Sequence, residues 1–489
     1  MTRETGAEPR GLAPNPRRLA LEVVSQALSP TGKAFARELL DERFSRAPMK
    51  PQDRRLAADL AYGVIRRLAT LDAVLAAYST RPLDELDPVV RQVLRLGIYQ
   101  MLFLDRVPQH AIVDESVRLA RATGKSRAAG FVNAVLRSLG RELRFAAEPD
   151  PAQPQHSFEL RPGRACVLGR KVLPPPAESA AYLAAALSFP VGLMRRWLAR
   201  YGTSRACELC RLANEPPPLF IRPNTLRTSP EQLIERLLAE QVEARPSATG
   251  RTLLLPPGTQ VARLRAFREG LFQVQDDSSA AVAPFLGPEP GENVLDLCAA
   301  PGGKACHMAE RMQNRGVIAA VDDSARRLKR LVENVQRLDL RIIATVESDG
   351  ANFARQHPGK FDRVLLDAPC SNTGVLRRRV EARWRFSDAA LGELAAQQRA
   401  LLEAALHCLR PGGTLVYSTC SVEPEENAQL VAAALRSAPG FRLEAQEEFL
   451  PAHDGGDGLF MARIQRIADY RLTDKSVGSV GSVGVRNAE

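Results

Sequence analysis

The sequence predicts a multi-domain chain: an all-α N-terminal domain, a small α+β module, and a C-terminal α/β domain on a parallel, doubly wound sheet. Three observations carry this. Apolar residues recur at helical spacing from about Pro16 to Arg144, with no strand-like alternation. Proline-punctuated sequence follows, leading into short mixed elements. From Gly291 to about Ile467, short apolar runs then alternate with helical stretches, the signature of successive β–α units. A length of 489 residues suits about three domains, each able to bury its own core.

Taken in order, residues 1–15 are polar and contain proline, so a flexible arm is predicted. Residues 16–144 predict five to seven helices. Leu56, Leu60, Val64, Ile65 and Leu68 follow the 3.6 period; Val89, Val93, Leu96, Ile98 and Met101 do so less strictly. Arg54, Arg55, Arg66, Arg67, Lys125 and Arg127 are candidates for a phosphate-facing surface, against the alternative of a solvated polar face. Residues 145–186 contain Pro149, Pro151, Pro154 and Pro174–Pro176, and predict a linker or insertion with a hairpin around Gly163 and Gly169. The α+β module is placed at 187–275. Its helices are Pro190–Tyr201 and Pro230–Gln241, and its strands are Leu219–Arg222, Thr252–Leu255 and Leu271–Val274. Asp277 or Ser278 is predicted to N-cap the helix that enters the next domain. The domain at 276–467 should hold strands Asn293–Leu297, Val317–Val321, Ile342–Val346, Arg363–Leu366, Gly413–Ser418 and Gly458–Ile464. The tail, 468–489, repeats Ser-Val-Gly and predicts disorder.

Composition narrows the class. Lys plus Arg number 67 against 56 Asp plus Glu, a net charge of +11, which suits a polyanionic partner. No uninterrupted apolar run approaches the roughly 18 residues of a membrane span. The first ten residues hold no apolar segment of the signal-peptide kind, so a cytoplasmic location is expected. The eight scattered cysteines are expected to be reduced thiols. Cys207 and Cys210 form a single C-x-x-C within a helical stretch and, lacking a second pair, are read as incidental; no metal site is predicted.

Ligands of open α/β sheets bind beyond the carboxyl ends of the strands. Each predicted strand delivers polar or nucleophilic residues there. The first leads into Cys298-Ala299-Ala300-Pro301-Gly302-Gly303-Lys304, a small-residue turn before a helix, where the backbone can approach a ligand and offer free N–H groups. The turn matches neither the dinucleotide G-x-G-x-x-G spacing nor a phosphate loop. The second strand ends at Asp322, placed to accept the hydroxyls of a ribose; Asp349, after the third, is placed to meet an adenine edge. A ribose acceptor without a pyrophosphate grip points to S-adenosylmethionine. The fourth strand ends Asp367-Ala-Pro-Cys370-Ser371, and the fifth ends Ser-Thr-Cys420-Ser421.

Two cysteines at adjacent strand ends suit one demanding reaction. C5 of cytosine is a poor nucleophile until a thiolate adds to C6; afterwards the C5 proton and the thiolate must both leave. One thiol attacks and a second group assists. Zinc binding fits less well, because the two cysteines stand 50 residues apart with no nearby histidine pair. A disulfide remains an alternative, disfavoured in a reducing compartment.

Asp-Leu-Cys-Ala-Ala-Pro-Gly-Gly-Lys (296–304), Asp-Ala-Pro-Cys-Ser-Asn-Thr-Gly (367–374) and Tyr-Ser-Thr-Cys-Ser-Val-Glu-Pro-Glu-Glu-Asn (417–427) resemble the motifs of the RNA cytosine-5 methyltransferase family, also called the Nol1/Nop2/Sun family. Arg-Leu-Gly-Ile-Tyr-Gln-Met (95–101) and Phe-Val-Asn-Ala-Val-Leu-Arg (131–137) resemble the RNA-binding domain of the antitermination factor NusB. The resemblance covers roughly 16–144 and 187–467. It implies a Rossmann-like S-adenosylmethionine-dependent methyltransferase domain acting on a cytosine of 16S ribosomal RNA or a small-subunit assembly intermediate, as a monomer away from any membrane. It implies that Cys420 is the nucleophile and Cys370 assists product release. Residues 298–304, Asp322, Asp349 and Asp367 would hold S-adenosylmethionine, and Asp367 would also touch the cytosine. The Cys298 side chain itself is expected only to pack. The alternatives are a transfer RNA cytosine-5 methyltransferase and a non-catalytic RNA-binding or ribosome assembly factor.

Overall fold

The computed structural model describes residues 15–29, 32, 34–46, 49–453 and 455–468. The predicted arm, apart from Asn15, and all of the predicted tail but its first residue lie outside the described residues. The chain divides into two compact units. The first comprises Met1–Pro217, Ser371–Leu391 and Pro451–His453; the second comprises Pro218–Cys370, Gly392–Leu450 and Asp454–Glu489.

The first unit opens with helices Pro16–Ala27, Ala36–Arg46, Pro51–Arg66, Leu68–Tyr78, Pro88–Phe103, Gln109–Ala122 and Ala129–Glu142. Local chemistry sets several starts. Asn15 and Asp87 each accept two backbone N–H groups at a helix entrance, and proline fills the first helical position after both. The periodic stripes then merge: Leu60, Val64, Ile65, Leu71, Val93, Leu96 and Ile98 are buried in one core.

That core continues past 144, where the sequence places a linker. Arg144–Ala146, Ser157–Arg161 and Arg164–Val167 form a three-stranded antiparallel sheet, with a hairpin turning at Gly163. Phe158, Leu160, Cys166 and Leu168 bury themselves in the helical core. Helix Val191–Asn214 is interrupted at Gly202, where φ is 71°, between the two helical stretches read from the sequence. Cys207 and Cys210 lie on it with buried thiols held neutral by desolvation, which makes them packing groups.

Residues 371–391 also belong to this unit. Arg383, fully buried, donates to the carbonyls of Arg66, Ser188, Ala213 and Leu376 and to Asn214 Oδ1, and stacks 4.4 Å from the Phe189 ring. Desolvation pushes its guanidinium down to about 9. Arg66 and Arg67 depart from the predicted phosphate-facing surface. Arg66 donates to the Arg377 carbonyl and Arg67 to the Leu160 carbonyl, so both serve the interior. Lys125 pairs with Asp87 at 2.6 Å; Arg54, Arg55 and Arg127 stay exposed.

The second unit holds two sheets. Leu219–Pro223, Leu253–Leu255, Phe272–Val274 and the short Arg245–Pro246 form an antiparallel four-stranded sheet beside helix Pro230–Ala239. The larger sheet has seven strands: β1 (Asn293–Leu297), β2 (Val317–Asp322), β3 (Ile343–Glu347), β4 (Phe361–Asp367), β5 (Leu409–Thr419), β6 (Phe441–Phe449) and β7 (Leu459–Arg466). Their order is β3-β2-β1-β4-β5-β7-β6. β1 to β5 are parallel, whereas β7 runs antiparallel to both β5 and β6. The sheet is therefore mixed rather than wholly parallel. β6 was not predicted: it is an exposed edge strand, and its charged residues mask any apolar rhythm.

Burial on both faces explains the continuous apolar runs. Leu295, Val364, Leu366, Leu415 and Tyr417 point into one core layer; Val294, Leu365 and Val416 point into the other. A buried ion pair ties the smaller sheet to the helix after β1: Arg222 grips Glu310 through both carboxylate oxygens and donates to Gln275 at 2.6 Å. Asp277, expected as a helix cap, is instead buried and accepts hydroxyls from Ser247, Thr249 and Thr252 at 2.6–2.8 Å. Asp276 takes the Ser278 N–H at 3.0 Å, and Ser278 makes no side-chain cap.

Candidate active site

The parallel strands deliver their C-terminal residues to one rim of the sheet. After β1, Cys298 adopts φ 62° and Gly302 φ 96°, folding residues 298–302 into a tight turn before helix Gly303–Arg311. Ala299 N–H donates to the Val321 carbonyl and Gly302 N–H to the Ala299 carbonyl, both at 2.9 Å. A side chain at Gly302 would meet the buried Leu331, with Cβ 2.6 Å from Leu331 Cγ, so only glycine fits. At Gly303 a Cβ would find its nearest neighbour 3.9 Å away, which leaves that position open. Burial, then Asp367, Asp322 and Asp296, push the Cys298 thiol up to about 12, so it stays a neutral packing group.

Asp322 ends β2 with a buried carboxylate. It accepts from the N–H groups of Ala300 (3.2 Å) and Ser324 (3.0 Å) and from Arg327 (2.9 Å). These bonds pin the β1 turn to β2. Desolvation nevertheless raises its pKa above the ordinary aspartate value. Asp349, after β3, accepts the Asn352 N–H at 2.8 Å and caps helix Gly350–Arg355. Asp367 ends β4, accepts the Ser418 hydroxyl at 2.9 Å and forms an ion pair with Lys304. β4 and β5 pair in register through Asp367 and Ser418, which brings the two cysteine loops side by side. The Sγ atoms of Cys370 and Cys420 are 3.2 Å apart, and Cys420 is the more exposed.

Asp296 was not among the predicted site residues. It is fully buried near the C-terminal end of β1, and neither carboxylate oxygen has a hydrogen-bond partner. Desolvation, reinforced by Asp367 and opposed by Lys304, holds its pKa well above the ordinary range. The available signal was one acid inside the apolar run Val-Leu-Asp-Leu. An orphaned carboxyl, a turn that excludes a side chain at Gly302, and a rim of acids facing a basic residue suit a compact cationic adenosine cofactor. Among the described residues, no three His, Cys, Asp or Glu side chains gather as metal ligands.

Together the strand order, the turn after β1 and the acidic rim define an S-adenosylmethionine-dependent methyltransferase. Comparisons with known proteins agree. Residues 283–465 match the family model 16S rRNA methyltransferase RsmB/F, 14–141 match the NusB family, and 189–261 match a ferredoxin-like domain of RsmF/B-like methyltransferases. A probable ribosomal RNA small subunit methyltransferase B from Synechocystis is 34% identical, covering 87% of this chain and 94% of its own. The ribosomal RNA small subunit methyltransferase B of Proteus mirabilis is 33% identical, covering 90% and 98%. The crystal structure of NSun6 from Pyrococcus horikoshii with SFG is 25% identical with a TM-score of 0.53, covering 57% of this chain and 99% of that one. The chain belongs to the 16S rRNA methyltransferase RsmB/F family.

Proposed function

We propose that this chain methylates C5 of one cytosine in 16S ribosomal RNA, through a covalent bond between Cys420 Sγ and C6 of the base. The observation that carries the reading is the 3.2 Å approach of Cys370 and Cys420 at the ends of neighbouring strands, beside the cradle after β1. The relatives' names support the ribosomal substrate; the two-thiol geometry supports the carbon.

The turn 298–304, Asp322, Asp349 and Asp367 hold S-adenosylmethionine, which supplies the methyl group that C5 accepts. The Cys420 thiolate adds to C6, and the electron pair of the 5,6 double bond becomes available at C5. After C5 is methylated, its proton passes to a base, the Sγ–C6 bond breaks, and the thiolate is restored with the double bond. Cys370, beside the leaving sulfur, assists that release. Asp367, which pairs with Lys304 and accepts from the Ser418 hydroxyl, accepts from the base in this reading. The cytosine must leave its stack to reach these groups. The helical region 16–144 and the module 187–275 contribute phosphate and shape recognition, and 276–467 contributes catalysis.

Cys420→Ala should abolish methyl transfer to 16S RNA. Cys370→Ser should trap a protein–RNA adduct that survives denaturing electrophoresis. Normal turnover by Cys420→Ala would refute the assigned nucleophile. Bisulfite sequencing of a strain lacking the gene should show one 16S cytosine losing its mark; loss confined to transfer RNA would refute the substrate.

A further inference from the structure

Helix Asp388–Cys408 carries Gln397 and Gln398 side by side. Gln397 is exposed, whereas Gln398 is fully buried. Its Nε2 donates 2.8 Å bonds to two acceptors, the Pro369 carbonyl and Glu426 Oε1. The first acceptor belongs to the peptide unit that leads into Cys370. The second belongs to the loop that follows Cys420. Glu426, also fully buried, turns its other oxygen to the Ser421 hydroxyl, and Ser421 is the next residue after Cys420. Further bonds stiffen that loop. The Tyr417 hydroxyl donates to the Glu426 carbonyl at 2.7 Å, Thr419 Oγ1 donates to Asn427 Oδ1 at 2.6 Å, and Asn427 Nδ2 donates to the Ser421 carbonyl at 2.9 Å. One amide thus joins the two cysteine loops through buried groups.

We propose that Gln398 is a positioning residue that fixes the separation of Cys370 and Cys420. The inference rests on the reading that both thiols serve one base. Its physical basis is plain. The β4–β5 ladder sets the register of the strands, but both cysteines lie beyond its last paired residues, on loops. Something outside the ladder must hold the loops together, and Gln398 touches both. A donor is required there, because both partners are acceptors. Glutamate at this position would place two buried carboxylates against each other.

The test uses the full-length protein and two variants, Q398M, close in volume but without a donor, and Q398N, which withdraws the amide by one methylene. The thiol pair supplies a readout independent of catalysis. Treated with diamide, Cys370 and Cys420 form an S–S bond; their two electrons and two protons pass to the diamide, which becomes the hydrazine. Closure is followed by mass spectrometry of alkylated peptides. In folded Q398M, closure should slow about 10-fold and kcat should fall about 100-fold, because proximity is what the amide maintains. KM for RNA and for S-adenosylmethionine should move by no more than about 3-fold, since neither cradle is touched. Closure at the wild-type rate in a folded variant overturns the proposal whatever the activity. Should Q398M fail to fold, Q398N is read by the same criterion, and failure of both with a normal closure rate in Glu426→Leu also overturns it. A turnover-competent Cys420→Ala would instead sink the catalytic reading and leave the closure measurement intact.

Discussion

Gly302→Ala tests whether the backbone shape of the turn after β1 builds the cofactor cradle. Gly302 sits at φ 96°, and its N–H and carbonyl already bond Ala299 and the Cys306 N–H at 2.9 Å, so the peptide cannot rotate away without releasing the start of the helix. A methyl there would lie 2.6 Å from Leu331 Cγ, 3.2 Å from its Cβ and 3.3 Å from its Cδ1. Leu331 is fully buried and has no room to retreat. The left-handed backbone costs about 1–2 kcal/mol for a residue with a side chain. Overpacking adds about 1–3 kcal/mol. The sum, about 2–5 kcal/mol, falls on either global stability or the turn alone. If the turn alone yields, affinity for S-adenosylmethionine drops by at least about 30-fold. Gly303→Ala is the control: its methyl would stand 3.9 Å from Gln275 Nε2, an ordinary contact, and should change stability by less than about 0.5 kcal/mol. Urea denaturation and calorimetric titration of the full chain read both effects. A Gly302→Ala protein with wild-type stability and affinity, or a Gly303→Ala protein equally damaged, would refute the reasoning.

Three other outcomes follow from buried charge. Burial raises the Asp296 pKa above its unfolded value of about 4, so between the two the native state binds the extra proton and wild-type stability falls as pH rises through that window. Asp296→Asn removes that slope, and its advantage in urea denaturation without cofactor should be larger at pH 8 than at pH 5; an equal difference at both would show that Asp296 is ionised when folded. Arg222→Met strands Glu310 in the interior and should cost about 3–5 kcal/mol, whereas Arg222→Met with Glu310→Leu should recover most of it. Additive losses in that cycle would show that the pair is not coupled. Arg383→Met leaves Asn214 Oδ1 and four carbonyls without their donor and should lower stability by about 3 kcal/mol or more, with faster limited proteolysis inside 371–391; an unchanged cleavage pattern would show that the segment is held by other contacts.

How much of this was legible in the sequence depended on where polar residues fell. β1, β4 and β5 were readable because neighbours such as Val294 and Leu295, or Leu365 and Leu366, face opposite core layers and are apolar on both. β6 was not, because Arg442, Glu444, Glu447 and Glu448 line an exposed edge. Between 144 and 167 the hairpin at Gly163 was readable from its glycine, whereas Arg144–Ala146 escaped because it is three residues long and exposed along its whole length, with no apolar face to mark it. Among the candidate site residues, the strand-end rule marked Asp322, Asp367, Cys370 and Cys420, yet it says nothing about the distance between two loops. It also placed Asp349 at the rim without showing that its carboxylate caps a helix.

The residues it missed share one property. Asp296 occupies a position inside an apolar strand, and Gln398 occupies the core stripe between Leu394 and Leu401 of its helix, where the period calls for an apolar side chain. A pattern reading treats each as an interruption to be averaged over. Physically they are the opposite. Burying a carboxyl or an amide costs free energy unless something repays it. For Gln398 the return comes to its amide nitrogen from the Pro369 carbonyl and Glu426, 29 and 28 residues away along the chain, while its Oε1 has no hydrogen-bond partner. For Asp296 no group among the described residues makes the return, since neither carboxylate oxygen has a hydrogen-bond partner. A polar residue in an apolar phase is therefore a signal in its own right, and its partner, where it has one, is what only the tertiary structure supplies.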